Sequence, residues 1–155
     1  MAFQIHALPA EQFSDLFTMN DEQLRDRNAR RMTVKTKPGS PCRVSLADAE
    51  VGETVVLVNY EHQTAASPYR AAHAIFVRQG VEQAHPAENE VPEVLRSRLI
   101  SLRQFDDNGM MIGADLLEGS GLAAAIETAF RDARTAYIHL HNAKPGCFAA
   151  SVTRA

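Results

Sequence analysis

Leu99-Ile100-Ser101-Leu102-Arg103-Gln104-Phe105 and Met110-Met111-Ile112-Gly113-Ala114-Asp115-Leu116-Leu117 flank Asp106-Asp107-Asn108-Gly109. An Asn-Gly pair supplies the positive backbone φ that a tight reversal between twisted strands requires. Between two apolar runs it is the strongest short-range sign of a β-hairpin. Downstream, Leu122, Ala125, Ile126, Ala129 and Phe130 recur at i, i+3, i+4, i+7 and i+8 behind Ser120, which predicts a helix capped by that serine. Thr135–His141 and Phe148–Val152 then read as two strands around the turn Lys144-Pro145-Gly146. Upstream, Thr54–Tyr60 carries Val55-Val56-Leu57-Val58, apolar at successive positions as in a strand covered on both faces. Ala71–Arg78 is a second strong strand, and Phe3–His6 and Arg31–Lys35 are shorter ones. Helices are expected after Pro9, with Phe13, Leu16 and Phe17 on one face, from Asn20, where Asn20 and Gln23 stand at capping-box spacing, and over Pro92–Arg98. Lys37–Cys42 holds two prolines and a glycine and reads as turns. Together these elements predict an α+β fold. It is a single compact domain over 1–155, a mostly antiparallel sheet with two to four helices packed against it. The helix between 120 and 132 leaves room for one parallel crossover.

A chain of 155 residues is long enough to bury a core without disulfide or metal support. Its 45% apolar and 23% charged residues are ordinary for a globular protein, and with no tryptophan the core must be largely aliphatic. Sixteen Lys and Arg against nineteen Asp and Glu give a net charge of −3. The only dibasic pair is Arg30-Arg31, too little for a nucleic-acid footprint. No window is long and apolar enough for a membrane span, and Met1–Ala10 lacks the features of a secretion signal. Two cysteines, Cys42 and Cys147, are too few for a secreted disulfide framework, so a cytoplasmic location is expected.

Three groups of residues could carry chemistry. In Tyr137-Ile138-His139-Leu140-His141, strand alternation sends Ile138 and Leu140 to one face and Tyr137, His139 and His141 to the other. Two imidazoles about 7 Å apart on one face could converge on a metal, with His62 or His73 as a third ligand. A solvated sheet face is the commoner explanation of such a pair, and no metal or cofactor is assigned. Cys147 follows Pro145-Gly146, where His139 or His141 could act on it as base, and Cys42 follows Pro41. The competing reading makes both cysteines small buried apolar groups. The third group is Asn59-Tyr60-Glu61-His62 with Pro68-Tyr69-Arg70-Ala71-Ala72-His73, to which Arg43 and Arg103 could add cationic forks for an anion. Structural ion pairs of Arg70 and Arg103 with Glu61 or Asp115 explain the same residues equally well. The candidate catalytic residues are therefore His139, His141 and Cys147. The candidate ligand-binding residues are Arg43, Tyr60, His62, Tyr69, Arg70, Arg103 and Asn142.

Pro41-Cys42-Arg43-Val44-Ser45-Leu46, Asn59-Tyr60-Glu61-His62, Pro68-Tyr69-Arg70-Ala71, Ile75-Phe76-Val77-Arg78, Ser101-Leu102-Arg103 and His139-Leu140-His141-Asn142-Ala143-Lys144-Pro145-Gly146-Cys147 resemble the bacterial family called domain of unknown function 1203. The resemblance runs from Phe3 to Arg154, and its closing motif is the most specific. It implies a compact bacterial domain and transfers no activity. Two functions stay open at this point. One is a domain that binds or transforms a small anionic molecule through an Arg/His/Tyr/Cys cluster. The other is a non-catalytic, homodimeric interaction or regulatory module whose polar groups form a structural network. Whether the chain is an enzyme does not follow from its residues.

Overall fold

Eight strands and three α-helices appear in the computed structural model, which describes residues Met1–Ala155. In chain order they are β1 (Phe3–His6), α1 (Asp21–Asp26), β2 (Ala29–Thr33), β3 (Thr54–Gln63), β4 (Ala71–Arg78), α2 (Glu93–Arg96), β5 (Leu99–Phe105), β6 (Met111–Glu118), α3 (Leu122–Phe130), β7 (Tyr137–Asn142) and β8 (Phe148–Arg154). The fold is α+β. Its strands form two sheets rather than one: β1-β8-β7-β5-β6 and β2-β3-β4. Every strand pair in both is antiparallel.

The apolar pattern explains the division. Ile100, Leu102, Ile138, Leu140 and Val152 of the larger sheet pack on Leu122, Ile126, Ala129 and Phe130 of α3. In the smaller sheet, Val56, Val58, Ile75 and Val77 pack on Phe13, Leu16 and Leu24 from the N-terminal segment. Val55 faces the other way, against Val34 and Ala49, so the continuous run in β3 does serve both faces. Because β5 is the antiparallel neighbour of both β6 and β7, those two run parallel, and α3 is the crossover that joins them past β5.

The β5–β6 turn forms as its sequence requires. Asp106 Oδ1 accepts from the backbone N–H of Asn108 at 2.9 Å and of Met110 at 3.0 Å, and Gly109 takes a φ of 73°. The capping box of α1 is complete: Gln23 N–H donates to Asn20 Oδ1, and Asn20 N–H to Gln23 Oε1, each at 2.9 Å. Two helix expectations change. After Pro9 the chain makes two short 3-10 turns, Ala10–Gln12 and Ser14–Thr18, which still bury Phe13 and Leu16. An α-helix is interrupted there because Phe13, at φ −123°, leaves helical geometry between them. Ser120 does not cap α3; it lies inside the 3-10 turn Gly119–Gly121, and Gly121 holds the cap position without a side-chain bond.

The cause is tight packing of that turn on α2. A Cβ on Gly119 would stand 1.9 Å from the Leu95 carbonyl oxygen, and the Gly119 N–H donates to the Arg98 carbonyl at 2.7 Å. Backbone meets backbone here, so no rotamer can relieve the clash. Gly119→Ala is expected to lower stability by about 2–3 kcal/mol. Urea unfolding checks this; an unchanged midpoint would show that the two segments separate freely.

Candidate functional site

Both faces of β7 are covered, since Ile138, His139, Leu140, His141 and Asn142 are all buried. The histidine face is therefore not solvated. Register places Arg103 opposite His139, Ser101 opposite His141 and Phe105 opposite Tyr137, while Phe148 of β8 lies against both histidines. His62, near the end of β3, closes over them. Its ring stacks on Phe148 at 5.5 Å and meets His141 edge-on at 4.9 Å and His139 at 6.2 Å. Tyr137 joins the same layer, with its hydroxyl 3.0 Å from Gln63 Nε2. Burial is the main reason that His139 is pushed down to about 4 and His141 to about 3, with the charges of Arg103 and His62 adding to it. His62 is lowered for the same first reason, with Arg103 and His73 contributing. These imidazoles are neutral at pH 7. His141 Nδ1 engages the Gly146 carbonyl at 3.0 Å, whereas Nδ1 of His62 and of His139 is buried without a partner. No set of three His, Cys, Asp or Glu side chains is arranged to hold a metal ion, and the three rings pack together as an aromatic layer.

The other chemically distinctive feature lies where the β7–β8 turn meets the segment before Val44. That segment is pinned in several places. Cys42 bridges to Phe76 in β4, Arg43 N–H donates to the Phe76 carbonyl at 3.2 Å, and Leu8 N–H donates to the Arg43 carbonyl at 2.9 Å. The Arg43 side chain is thereby sent inward and is only 2% exposed. Its guanidinium donates to the Phe148 carbonyl at 2.7 Å, to the Pro41 carbonyl, and to Cys147 Sγ at 2.8 Å. Gly146, at φ 81°, lets the chain reverse so that Cys147 returns beside Asn142. The Asn142 amide donates to the same sulfur at 3.6 Å, and Asn142 N–H binds the Cys147 carbonyl at 2.9 Å. Burial pushes Arg43 below its usual range, and the interactions with Cys147 oppose that push.

Arg43, Asn142 and Cys147 line a cavity of about 610 Å³, together with Pro41, Leu57, His73, Phe76, Arg98, Glu118 and Lys144. That size suits a small molecule. Arg98 is held by Asp48 through two bonds of 2.6 and 2.9 Å. The exposed Lys144 on the turn has no such carboxylate partner among the ion pairs of the structure.

A family model described as protein of unknown function (DUF1203) matches residues 39–154 of the 155. The chain belongs to the DUF1203 family. No curated protein and no solved structure matches it.

The matched region of this DUF1203 chain holds every candidate residue, but the fold divides them. Arg43, Asn142 and Cys147 meet at the cavity. Tyr60, His62, Arg103, His139 and His141 belong to the aromatic layer. Tyr60 sits 6.2 Å from Phe148, and burial raises it. Arg103, lowered by burial, donates to Ser101 Oγ at 3.3 Å. Arg70 pairs with Glu61 at 2.6 Å on the surface, with side chains 57% and 42% exposed, and exposed Tyr69 packs edge-on to Phe105. The Arg70–Glu61 bond is the structural ion pair that was one of the two expectations. In this DUF1203 fold no histidine nitrogen bonds the Cys147 sulfur, whose partners are Arg43 and Asn142. Sequence reasoning did not find Arg98, Glu118 or Lys144 as cavity groups, nor Asp48 as the partner of Arg98. Arg98 and Asp48 are 50 residues apart, and nothing local announces their pairing.

Proposed function

We propose that the cavity binds a small molecule and that Cys147 serves there as the nucleophile, its sulfur held by the Arg43 guanidinium. The observation that carries this is a guanidinium buried without a carboxylate, donating to a sulfur on the cavity wall. A buried charge left unpaired is strongly unfavourable. Asp48, which bridges to Pro41 two residues before Arg43, is occupied by Arg98. Two donors, from Arg43 and Asn142, point at the sulfur, which is the acceptor of both. Cysteines beside fixed cations are those that react as thiolates. In the reaction, the sulfur electron pair forms the new bond to an electrophilic carbon and the displaced pair goes to the ligand's leaving group. The Lys144 ammonium would receive an anionic portion of the ligand. His139 and His141, neutral and enclosed, belong to the aromatic layer and not to the cavity wall, and neither bonds the sulfur. A free reactive thiol suits a reducing compartment such as the cytoplasm.

Alkylation by iodoacetamide, mapped by peptide mass spectrometry, is the test. Cys147 is expected to be modified about tenfold or more faster than Cys42 at pH 7 in the folded protein. Arg43→Met should slow Cys147 sharply, and Arg43→Lys, which keeps the charge, should slow it less. Equal rates at the two cysteines in the folded wild type would overturn the proposal, whatever the variants do.

A further inference from the structure

Arg43, Arg98, Glu118 and Lys144 are the charged side chains that line the cavity. Two of them are already answered inside the fold. Asp48 closes Arg98 through two bonds, and the buried Arg43 is turned to the Pro41 and Phe148 carbonyls and to the Cys147 sulfur. Glu118 and Lys144 are exposed, and neither belongs to an ion pair of the fold. Sheet register places these two on either side of one strand. Glu118, the last residue of β6, pairs with Leu99, the first of β5, while the Ala143 N–H donates to the Leu99 carbonyl at 3.0 Å from the other side. Residues directly opposite in an antiparallel pair share a face, so the Glu118 side chain projects with that of Leu99. Ile100, the next residue, packs in the core against α3. The face of Leu99 and Glu118 is therefore the one turned away from α3, where Leu99 and Ala143 meet the cavity. The backbones on the two sides of β5 stand two strand spacings, about 10 Å, apart. One carboxylate and one ammonium thus flank the same end of the cavity without pairing with each other.

We propose that the ligand of this cavity is a zwitterion, a small amino acid whose ammonium is received by Glu118 and whose carboxylate is received by Lys144. The inference rests on the reading that the cavity binds a small molecule, and it names the class. A singly charged anion is drawn to Lys144 and repelled by Glu118, and a singly charged cation meets the reverse. A ligand with both signs meets both groups favourably. The Arg98–Asp48 pair is neutral as a unit and adds little to either choice. Position along the chain orients the ligand. Lys144 belongs to the turn that ends at Cys147, whereas Glu118 stands beyond β5, so the carboxylate end lies on the side of the sulfur. Arg43, the remaining charge of the wall, holds that sulfur and favours the same orientation. Pro41, Leu57 and Phe76 supply an apolar wall for the methylenes that separate the two charges.

Amide chemical-shift titration of the isotope-labelled protein is the test, because it reads weak affinities and the place of binding together. The probes are the unbranched amino acids from glycine to ε-aminocaproate, each beside the carboxylate and the primary amine of matching length. At least one amino acid should bind about fivefold or more tightly than both of its singly charged counterparts, with shifts at Leu99, Glu118, Ala143 and Lys144. Both charged side chains are exposed, so their neutral variants should fold. Glu118→Gln should bring the amino acid down to the affinity of the carboxylate, and Lys144→Gln to that of the amine. Carboxylates or amines that bind as tightly as every amino acid would overturn the zwitterion inference while leaving a small-molecule cavity in place. A preference that survives both substitutions, or shifts confined to another part of the molecule, would overturn it as well. Should no probe bind, the zwitterion is overturned, and the alkylation of Cys147 against Cys42 still decides the nucleophile reading by itself.

Discussion

Cys147→Ala is expected to destabilise the protein by about 3 kcal/mol, well beyond what the loss of one sulfur atom would cost. The reason is the partner left behind. Arg43 is 2% exposed and would keep its charge with only the Pro41 and Phe148 carbonyls to receive it. Replacing both residues removes the charge with its partner. The double variant Arg43→Met/Cys147→Ala should therefore be more stable than Cys147→Ala alone, and the two effects should couple by more than about 1 kcal/mol. Urea unfolding of the four proteins provides the cycle. Strict additivity, with a single-site loss near 1 kcal/mol, would mean that Cys147 is a small apolar filler and that Arg43 is satisfied by carbonyls alone.

Acidification should produce a second large effect, and its direction follows from the histidine layer. His139 and His141 are pushed down to about 4 and about 3 in the fold, mainly by burial, while in the unfolded chain they titrate near the ordinary value of about 6.5. Above that value both states carry neutral rings, and their contribution to stability is fully present. As pH falls below it, the unfolded chain binds protons that the folded protein refuses, so stability falls until the folded values are passed. Each histidine contributes up to about 1.4 kcal/mol per pH unit, so the loss between pH 6.5 and 5 is on the order of 3 kcal/mol for the two together. The slope of unfolding free energy against pH over that interval measures it. His139→Phe, which keeps an aromatic ring against Phe105 and Phe148, should lower the slope by about half. A wild-type stability that is flat from pH 7 to 5 would show that the rings gain charge in the fold without penalty.

How much of this was legible varies from element to element. The Asn108-Gly109 turn, the Asn20–Gln23 capping box and the apolar stripe of α3 depend on neighbours a few residues away, and their physics is local. Apolar spacing looks the same in an α-helix and in a pair of 3-10 turns, so it does not separate the two after Pro9. At Ser120 the geometry is decided by the close packing of α2 on Gly119, which comes from a segment more than twenty residues away. Among the site residues, the closing motif His139–Cys147 marked a place where chemistry concentrates, yet it joins two separate environments. His139 and His141 point to the aromatic layer, while Asn142 and Cys147 end at the cavity.

Composition, period and turn chemistry by themselves determined the α+β class, the hairpins and which residues of β7 share a face, because a strand alternates whatever lies above it. They could not determine what covers each face. His62 meets His139 and His141 only because the end of β3 crosses the larger sheet, and Arg43 meets Cys147 across 104 residues of chain. Burial is set by that packing and not by identity. It is burial that turns two ordinary histidines into neutral members of an aromatic layer and one arginine into a charge whose partner is a sulfur.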